Sequence, residues 1–461
     1  MAGAAHVQWS SRMAFIFAAV GSAVGLGNIW RFPYVAGENG GSAFILLYIG
    51  FVFLIGLPVL IAELSIGRRG QQSPIASLGK IAKESSANPR WAWLGHLGTF
   101  GGGLGLLSFY SVIAGWVMSY IIQAATGAFT GITAEGAETA MNQFQGSAGT
   151  VTFWHFLFTA ITVVIVGKGI KGGLEKAVTY LMPMLFLILL LLLGYSLSEG
   201  DMEQATAFLF TPDWSKIDSG VALQALGQAF FSLSVTVGTM LAYGSYLPKE
   251  ISLHRSATLI AGADTLVALI AGLAIFPLVF AYGLQPDAGP SLIFKTLPIA
   301  FGQMPGGAFI SAAFFILLTI AAITSSISLL EPGVSYFEEK FGMTRWRASV
   351  IGGGIAFTVG LMTVFSWNDA AEFLPLAFMG IETVNGNAAN LGNLIDYTVS
   401  SIVMPVGGLG LAIFVGWFVR RESMRDEMGL PEGGIFEIWH VLIKFVCPLA
   451  LIWVLVSGLF G

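Results

Sequence analysis

The chain is poor in charge and almost without cysteine. Lys and Arg number 21 and Asp and Glu 26, together 10% of 461 residues, where soluble domains carry about 25%. With 55% hydrophobic residues, so low a share excludes an ordinary soluble globule and a disordered chain. A net charge of -5 opposes phosphate backbones and excludes a nucleic-acid partner. The single cysteine, Cys447, excludes a disulfide framework and Cys-based zinc or iron-sulfur patterns. No Walker sequence and no His-Glu-x-x-His occur, which removes nucleotide hydrolysis and the metalloprotease site from consideration. The histidines His6, His96, His155, His254 and His440 are scattered. Gly101-Gly102-Gly103-Leu104-Gly105 follows no strand, so it is not a nucleotide loop.

Long apolar runs fill the space that charge leaves. A hydrocarbon core about 30 Å thick takes roughly 20 helical residues. Suitable runs lie at 10–36, 42–66, 95–125, 150–167, 176–197, 220–247, 257–284, 307–336, 347–366, 394–419 and 437–460. They predict an all-α integral membrane protein of eleven transmembrane helices. The run around Met13 to Val24 is not expected to be a cleaved signal, because further spans follow at once. The stretches between spans are too short for cores of their own, so 1–461 reads as one domain. With the N-terminus inside and the C-terminus outside, only Arg31, Lys216 and Lys295 among the basic residues fall on the outer face, as the positive-inside rule requires. Trp9, Trp154 and Trp214, at span ends, read as interface anchors. Leu284–Gly307, with Pro286, Pro290, Pro298 and Pro305, reads as an outer loop with short helices folded back; Asn385–Asn393 reads as flexible loop.

Two spans are interrupted. The first breaks at Gly25-Leu26-Gly27-Asn28 and the sixth from Ser232-Leu233-Ser234 to Gly238. Each opens a set of five, and an odd number of spans inserts the two sets in opposite senses. This is the pattern of an inverted-repeat carrier, with halves near 9–197 and 220–419 and an extra helix at 437–460. The plainer reading is glycine packing between helices. Polar groups inside the bilayer are costly. Span 1 holds Asn28 and Arg31, span 6 Gln228, Ser232 and Ser234, and span 7 Asp264. A carboxylate at mid-helix costs about 2.5–3.5 kcal/mol on insertion scales, so Asp264 needs a bound cation, a proton-relay role or a protonated structural role. Thr324-Ser325-Ser326 matters only if it faces another unwound segment. Gly173 and Pro183 suit local unwinding near the inner face.

The stretch from Trp9 to Pro33, with Gly21-Ser22-Ala23-Val24-Gly25-Leu26-Gly27-Asn28-Ile29-Trp30-Arg31-Phe32-Pro33, resembles the neurotransmitter:sodium symporter family. Glu38-Asn39-Gly40-Gly41, Phe231-Ser232-Leu233-Ser234 and Thr324-Ser325-Ser326 extend the resemblance over essentially the whole chain. It implies two sodium sites: one at Ala23, Asn28, Ser232 and Asp264, the other at the carbonyls of Gly21, Val24 and Ala321 and the hydroxyls of Thr324 and Ser325. It places a substrate carboxylate on the Leu26 and Gly27 amides and the Tyr110 hydroxyl. The amine would meet carbonyls near Ala23, Phe231 and Ser232, with Ser234. The side-chain wall would be Leu106, Tyr110, Phe231, Val237, Ser326 and Leu329, which is apolar, has no acid and suits a neutral hydrophobic L-amino acid. The outer gate would pair Arg31 with Asp396, and the inner closure would use Trp9, Tyr246 and Glu339. His6 stands where many relatives carry Arg. Tyr48, Gln228 and Ser232 match part of the chloride site of animal relatives. Asp264 and Ala268 replace its Asn and Ser, which implies chloride independence.

The expected function is therefore sodium-coupled uptake of an amino acid by alternating access across a bacterial inner membrane, without bond chemistry. Competing expectations are an amino-acid sensor that does not transport and a proton-coupled carrier. The sequence carries no signal for an oligomeric state.

Overall fold

A computed structural model of the chain describes residues 7–285, 291–368, 383–384, 387–388, 390–431 and 433–460. His6, Asp287 and most of the 367–393 stretch lie outside them. The membrane-crossing scaffold is helical: α1 (Arg12–Ala23), α2 (Gly27–Glu38), α3 (Ser42–Gly70), α4 (Pro89–Ala125), α5 (Ala148–Gly167) and α6 (Ile170–Glu199). It continues with α7 (Ser219–Ser232), α8 (Thr239–Ser245), α9 (Leu253–Ala281), α10 (Gly307–Phe341), α11 (Arg345–Phe365) and α12 (Leu391–Phe418). The short α13 (Arg421–Met428) precedes α14 (Ile435–Ser457). The described strands are a two-residue antiparallel pair, Thr383↔Ala388 and Val384↔Asn387.

Among the described residues, nine helices are long and apolar enough to cross a bilayer, or ten if the bent pair α1–α2 is one span. The expected run 220–247 is present as α7 and α8, neither of them long enough to cross alone. The expected outer loop 284–307 does carry a short helix, Leu297–Gln303.

Both interruptions have local causes. Ser11 caps α1 by accepting the Ala14 amide, which satisfies one of the amides that a helix start leaves open. At its other end Val24 turns extended, with ψ 100°, and α2 leaves at an angle of 69°. Between α7 and α8, Ser234, Thr236 and Gly238 all have positive φ, at 49°, 72° and 80°. For Ser and Thr such backbone costs on the order of 1–3 kcal/mol. Two neighbours hold it there. The Glu63 carboxylate of α3 accepts the Thr236 amide at 3.0 Å. The glycine run of α4 lets the stretch approach: a Cβ on Gly102 would lie 2.8 Å from Val237 Cα. The Gly101–Gly105 motif is thus a seat for unwound backbone.

The helices around the breaks are the most enclosed. α9 and α10 both pack on α1, and α4 packs on α10, α5 and α11. About two thirds of α4 and α10 is buried but only 22% of α14. The breaks therefore sit in the interior and α14 faces lipid. The expected unwinding at Gly173 takes the form of one wide helical turn, Ile170–Glu175. Pro183 lies inside a helix that continues through it.

Candidate functional site

The two breaks meet. Ser234 Oγ donates to the Ser22 carbonyl at 2.8 Å, joining the unwound turn after α7 to the end of α1. Asp264, wholly buried on α9, faces this junction. Asn28 Nδ2 donates to Asp264 Oδ1 at 2.7 Å and to Ser232 Oγ at 2.9 Å. The Ser232 hydroxyl donates to Asp264 Oδ2, and Tyr48 OH reaches the same oxygen at 3.3 Å. Ala23, the last residue of α1, is buried. This set offers carboxylate, amide, hydroxyl and carbonyl oxygens, the donors a hard monovalent cation takes. Three of the four expected residues are joined by hydrogen bonds, and Tyr48 adds a further one.

The residues expected at a second site also lie together. Ser325 Oγ lies 3.3 Å from the carbonyls of Gly21 and Ser22 and 3.4 Å from that of Val24. Thr324 Oγ1 is bonded to Ala321 O at 3.0 Å. The Ser/Thr cluster thus faces the unwound end of α1, the condition set for it. Among the described residues, no group of three or more His, Cys, Asp or Glu could hold a metal; the first set carries one carboxylate, Asp264, and the second only hydroxyl and carbonyl oxygens.

Tyr110, expected to meet a ligand carboxylate, adjoins Ser325 of the second set. The Tyr110 hydroxyl is buried with no bond of good geometry, beside Ser325 and the Leu26 amide. A Cβ on Gly27 would lie 2.6 Å from Phe231 Cε1, so glycine is what lets the ring cover this turn. Leu106, Val237 and Leu329 are buried. Ser326 differs from expectation: its hydroxyl bonds Thr162 on α5 at 2.9 Å and the Ile323 carbonyl at 2.9 Å. Gln228 is buried with both amide atoms unpaired.

The two ends of the path differ. Arg31 and Asp396 are both exposed, and no ion pair joins them among the described residues. The Arg31 guanidinium instead lies 5.2 Å above the Phe231 ring, and Asp396 accepts from Ser400 at 3.1 Å. At the other end Trp9 is buried, its indole N–H bonded to Tyr243 O at 3.1 Å and its ring edge-on to Tyr243 and Tyr246. The interface-anchor reading of Trp9 is therefore corrected; Trp214 does stay exposed. Tyr246 OH donates to Glu331 at 2.7 Å. Arg345 pairs with Glu331 and, at 2.9 Å, with Glu338. Glu339 shares a cavity of about 360 Å³ with Tyr246 and Arg345 but accepts from the Ser73 amide.

Sequence reasoning missed Glu63, Glu331 and Arg345. The first two carried a usable signal: both are carboxylates inside apolar runs, the same cost that marked Asp264.

Comparison with known proteins gives this geometry its family. A model described as "Sodium:neurotransmitter symporter family" matches residues 6–142 and 140–460. The chain belongs to the sodium:neurotransmitter symporter family. The sodium-dependent transporter YhdH of Bacillus subtilis is 36% identical over 97% of this chain and 96% of its own length. A sodium-dependent transporter of Haemophilus influenzae is 34% identical over 98% of each chain. The crystal structure of MhsT in complex with L-phenylalanine superposes with a TM-score of 0.87 at 41% identity, covering 98% of this chain and 99% of that one. The protein is accordingly a sodium-dependent membrane transporter and not an enzyme.

Proposed function

We propose that this symporter carries a neutral, hydrophobic L-amino acid into the cell together with sodium, by alternating access and without chloride. The observation that carries the reading is Asp264. It is a buried carboxylate at the meeting of two broken helices, bonded by Asn28 and Ser232. Sodium at this cluster would exchange those bonds for ion contacts, and a ligand carboxylate on the Leu26 and Gly27 amides would stand beside it. Ser325 among three carbonyls supports a second sodium position. The ligand side chain would lie on Leu106, Phe231, Val237 and Leu329. The bound L-phenylalanine named for MhsT agrees with that wall.

Chloride independence rests on the same carboxylate. Asp264 supplies a fixed negative charge next to Tyr48 and Ser232, where a mobile anion is then redundant. We place the protein in a bacterial inner membrane, N-terminus cytoplasmic and C-terminus outside, with Arg31 and Asp396 as the outer gate and the Trp9–Tyr246–Glu331 cluster closing the inner end. Sodium and amino acid then raise each other's affinity reciprocally, and each net charge moved gains about 2.3 kcal/mol per 100 mV.

The test is uptake of a panel of labelled amino acids into proteoliposomes under a sodium gradient, a pH gradient or neither. Sodium-driven accumulation of apolar amino acids is the expected result. Accumulation under the pH gradient alone would refute sodium coupling. Sodium-dependent binding with no counterflow of label would make the protein a sensor.

A further inference from the structure

The last two membrane helices form a cationic corner that the transport path does not use. On α14, Glu437, His440 and Lys444 lie on one stripe, spaced three and four residues apart. Beside it runs an apolar stripe of Ile438, Val441, Phe445 and Leu449, all exposed. Lys444 lies nine residues into α14, about 14 Å along its axis at 1.5 Å per residue, in a helix that faces lipid. Its ammonium does not run free. Nζ sits 4.4 Å from the centre of the Trp417 ring and 5.6 Å from that of Phe445. The Trp417 indole N–H is bonded to the Lys444 carbonyl at 3.1 Å. Trp417 stands at the end of α12, three and four residues before Arg420 and Arg421, so the ammonium is held near a membrane-water boundary.

Lys444 has no carboxylate within ion-pair distance among the described residues. The one carboxylate on its stripe, Glu437, is bound by Arg421. His440 lies within electrostatic reach of both Arg421 and Lys444. A fixed ammonium on a lipid-facing helix calls for a counter-charge; the imidazole of His440 lies between it and the Arg421 guanidinium, within electrostatic reach of both. We propose that Lys444, Arg421 and His440 bind the phosphodiester of an anionic glycerophospholipid, whose acyl chain lies along Ile438, Val441, Phe445 and Leu449. The Trp417 ring forms the floor and holds the ammonium in place. A second copy of the chain fits this face poorly, because a two-fold contact would set the same cations against each other. A choline headgroup brings its own cation and gains less.

The test uses the purified full chain, stripped of lipid, with binding read by native mass spectrometry and folding by a melting curve. Probes are phosphatidylglycerol, cardiolipin, phosphatidylcholine and inorganic phosphate. The intact chain retains the two anionic lipids and not phosphatidylcholine, and phosphate does not displace them. Lys444→Gln and, separately, the exposed Arg421→Gln each lower retention of phosphatidylglycerol about fivefold, while Lys444→Arg keeps it. Either glutamine variant reads the site if the other fails to fold. Retention unchanged in the folded glutamine variants overturns the proposal, as does equal retention of phosphatidylcholine, displacement by free phosphate, or lipid held only by a dimer.

Discussion

The side-chain amide of Asn28 lies 2.7 Å from the carboxylate of Asp264, though 236 positions separate them in the chain. This contact fastens the first broken helix to α9 at the depth where Ser232, from the second broken helix, bonds the same carboxylate. If sodium loads at Asp264 as proposed, loading and geometry are coupled at one group, because whatever takes its oxygens pulls on both breaks.

Asp264→Ala removes the one carboxylate from this cluster. We expect sodium-stimulated uptake in proteoliposomes to be lost, or half-saturation to need roughly tenfold more sodium, equivalent to about 1.4 kcal/mol. The protein should still enter the membrane. Unchanged sodium dependence would take this residue out of the ion site.

Gly27→Leu places a side chain where Phe231 Cε1 would lie 2.6 Å from its Cβ. Displacing that ring fills the ligand position, so amino-acid binding measured by scintillation proximity should disappear while the melting temperature moves little. Ligand binding of normal affinity would show that the pocket lies elsewhere.

Tyr246→Phe deletes the bond to Glu331, and hydrogen bonds to charged groups contribute about 1.5–3 kcal/mol. The sealed end should open more often. Because the native Cys447 is buried, Ser335→Cys in the cavity beside Tyr246 gives a clean probe. Thiol labelling of Ser335→Cys should rise at least about fivefold when Tyr246→Phe is added, as expected for an equilibrium shifted by about 1 kcal/mol. Equal labelling in both would deny Tyr246 a closing role.

Exchange of chloride for gluconate should leave sodium-driven uptake within about twofold of its value, since the Asp264 charge is fixed at the site. A strict requirement for chloride would sink this reading.

Much of the fold was legible because lipid imposes simple rules. Apolar length gave nine or ten of the eleven expected spans among the described residues, and glycine and serine inside them gave the two breaks. Asp264 stood out as a charge in an apolar run, and the structure places it between Asn28 and Ser232. Glu63 and Glu331 carried the same signature in spans 2 and 8, yet their partners are a backbone amide at Thr236 and the phenol of Tyr246, contacts that depend on how distant helices stack. Trp9 sits at a span end, where position suggests an interface anchor; only the packing of Tyr243 and Tyr246 turns it inward. Ser326 is next to Ser325 in sequence, but a 100° step around the helix carries its hydroxyl to Thr162.

Trp9 is buried beside the Glu331–Arg345 pair, while Arg31 and Asp396 are exposed and within electrostatic reach of each other without an ion pair; with these clusters as the gates proposed above, one mouth is shut while the other is open. A carrier working as proposed, barred at one mouth whenever the other admits solute, is not a leak. A cell could keep many copies of such a protein idle in poor medium without draining the ion gradient that its other machines run on.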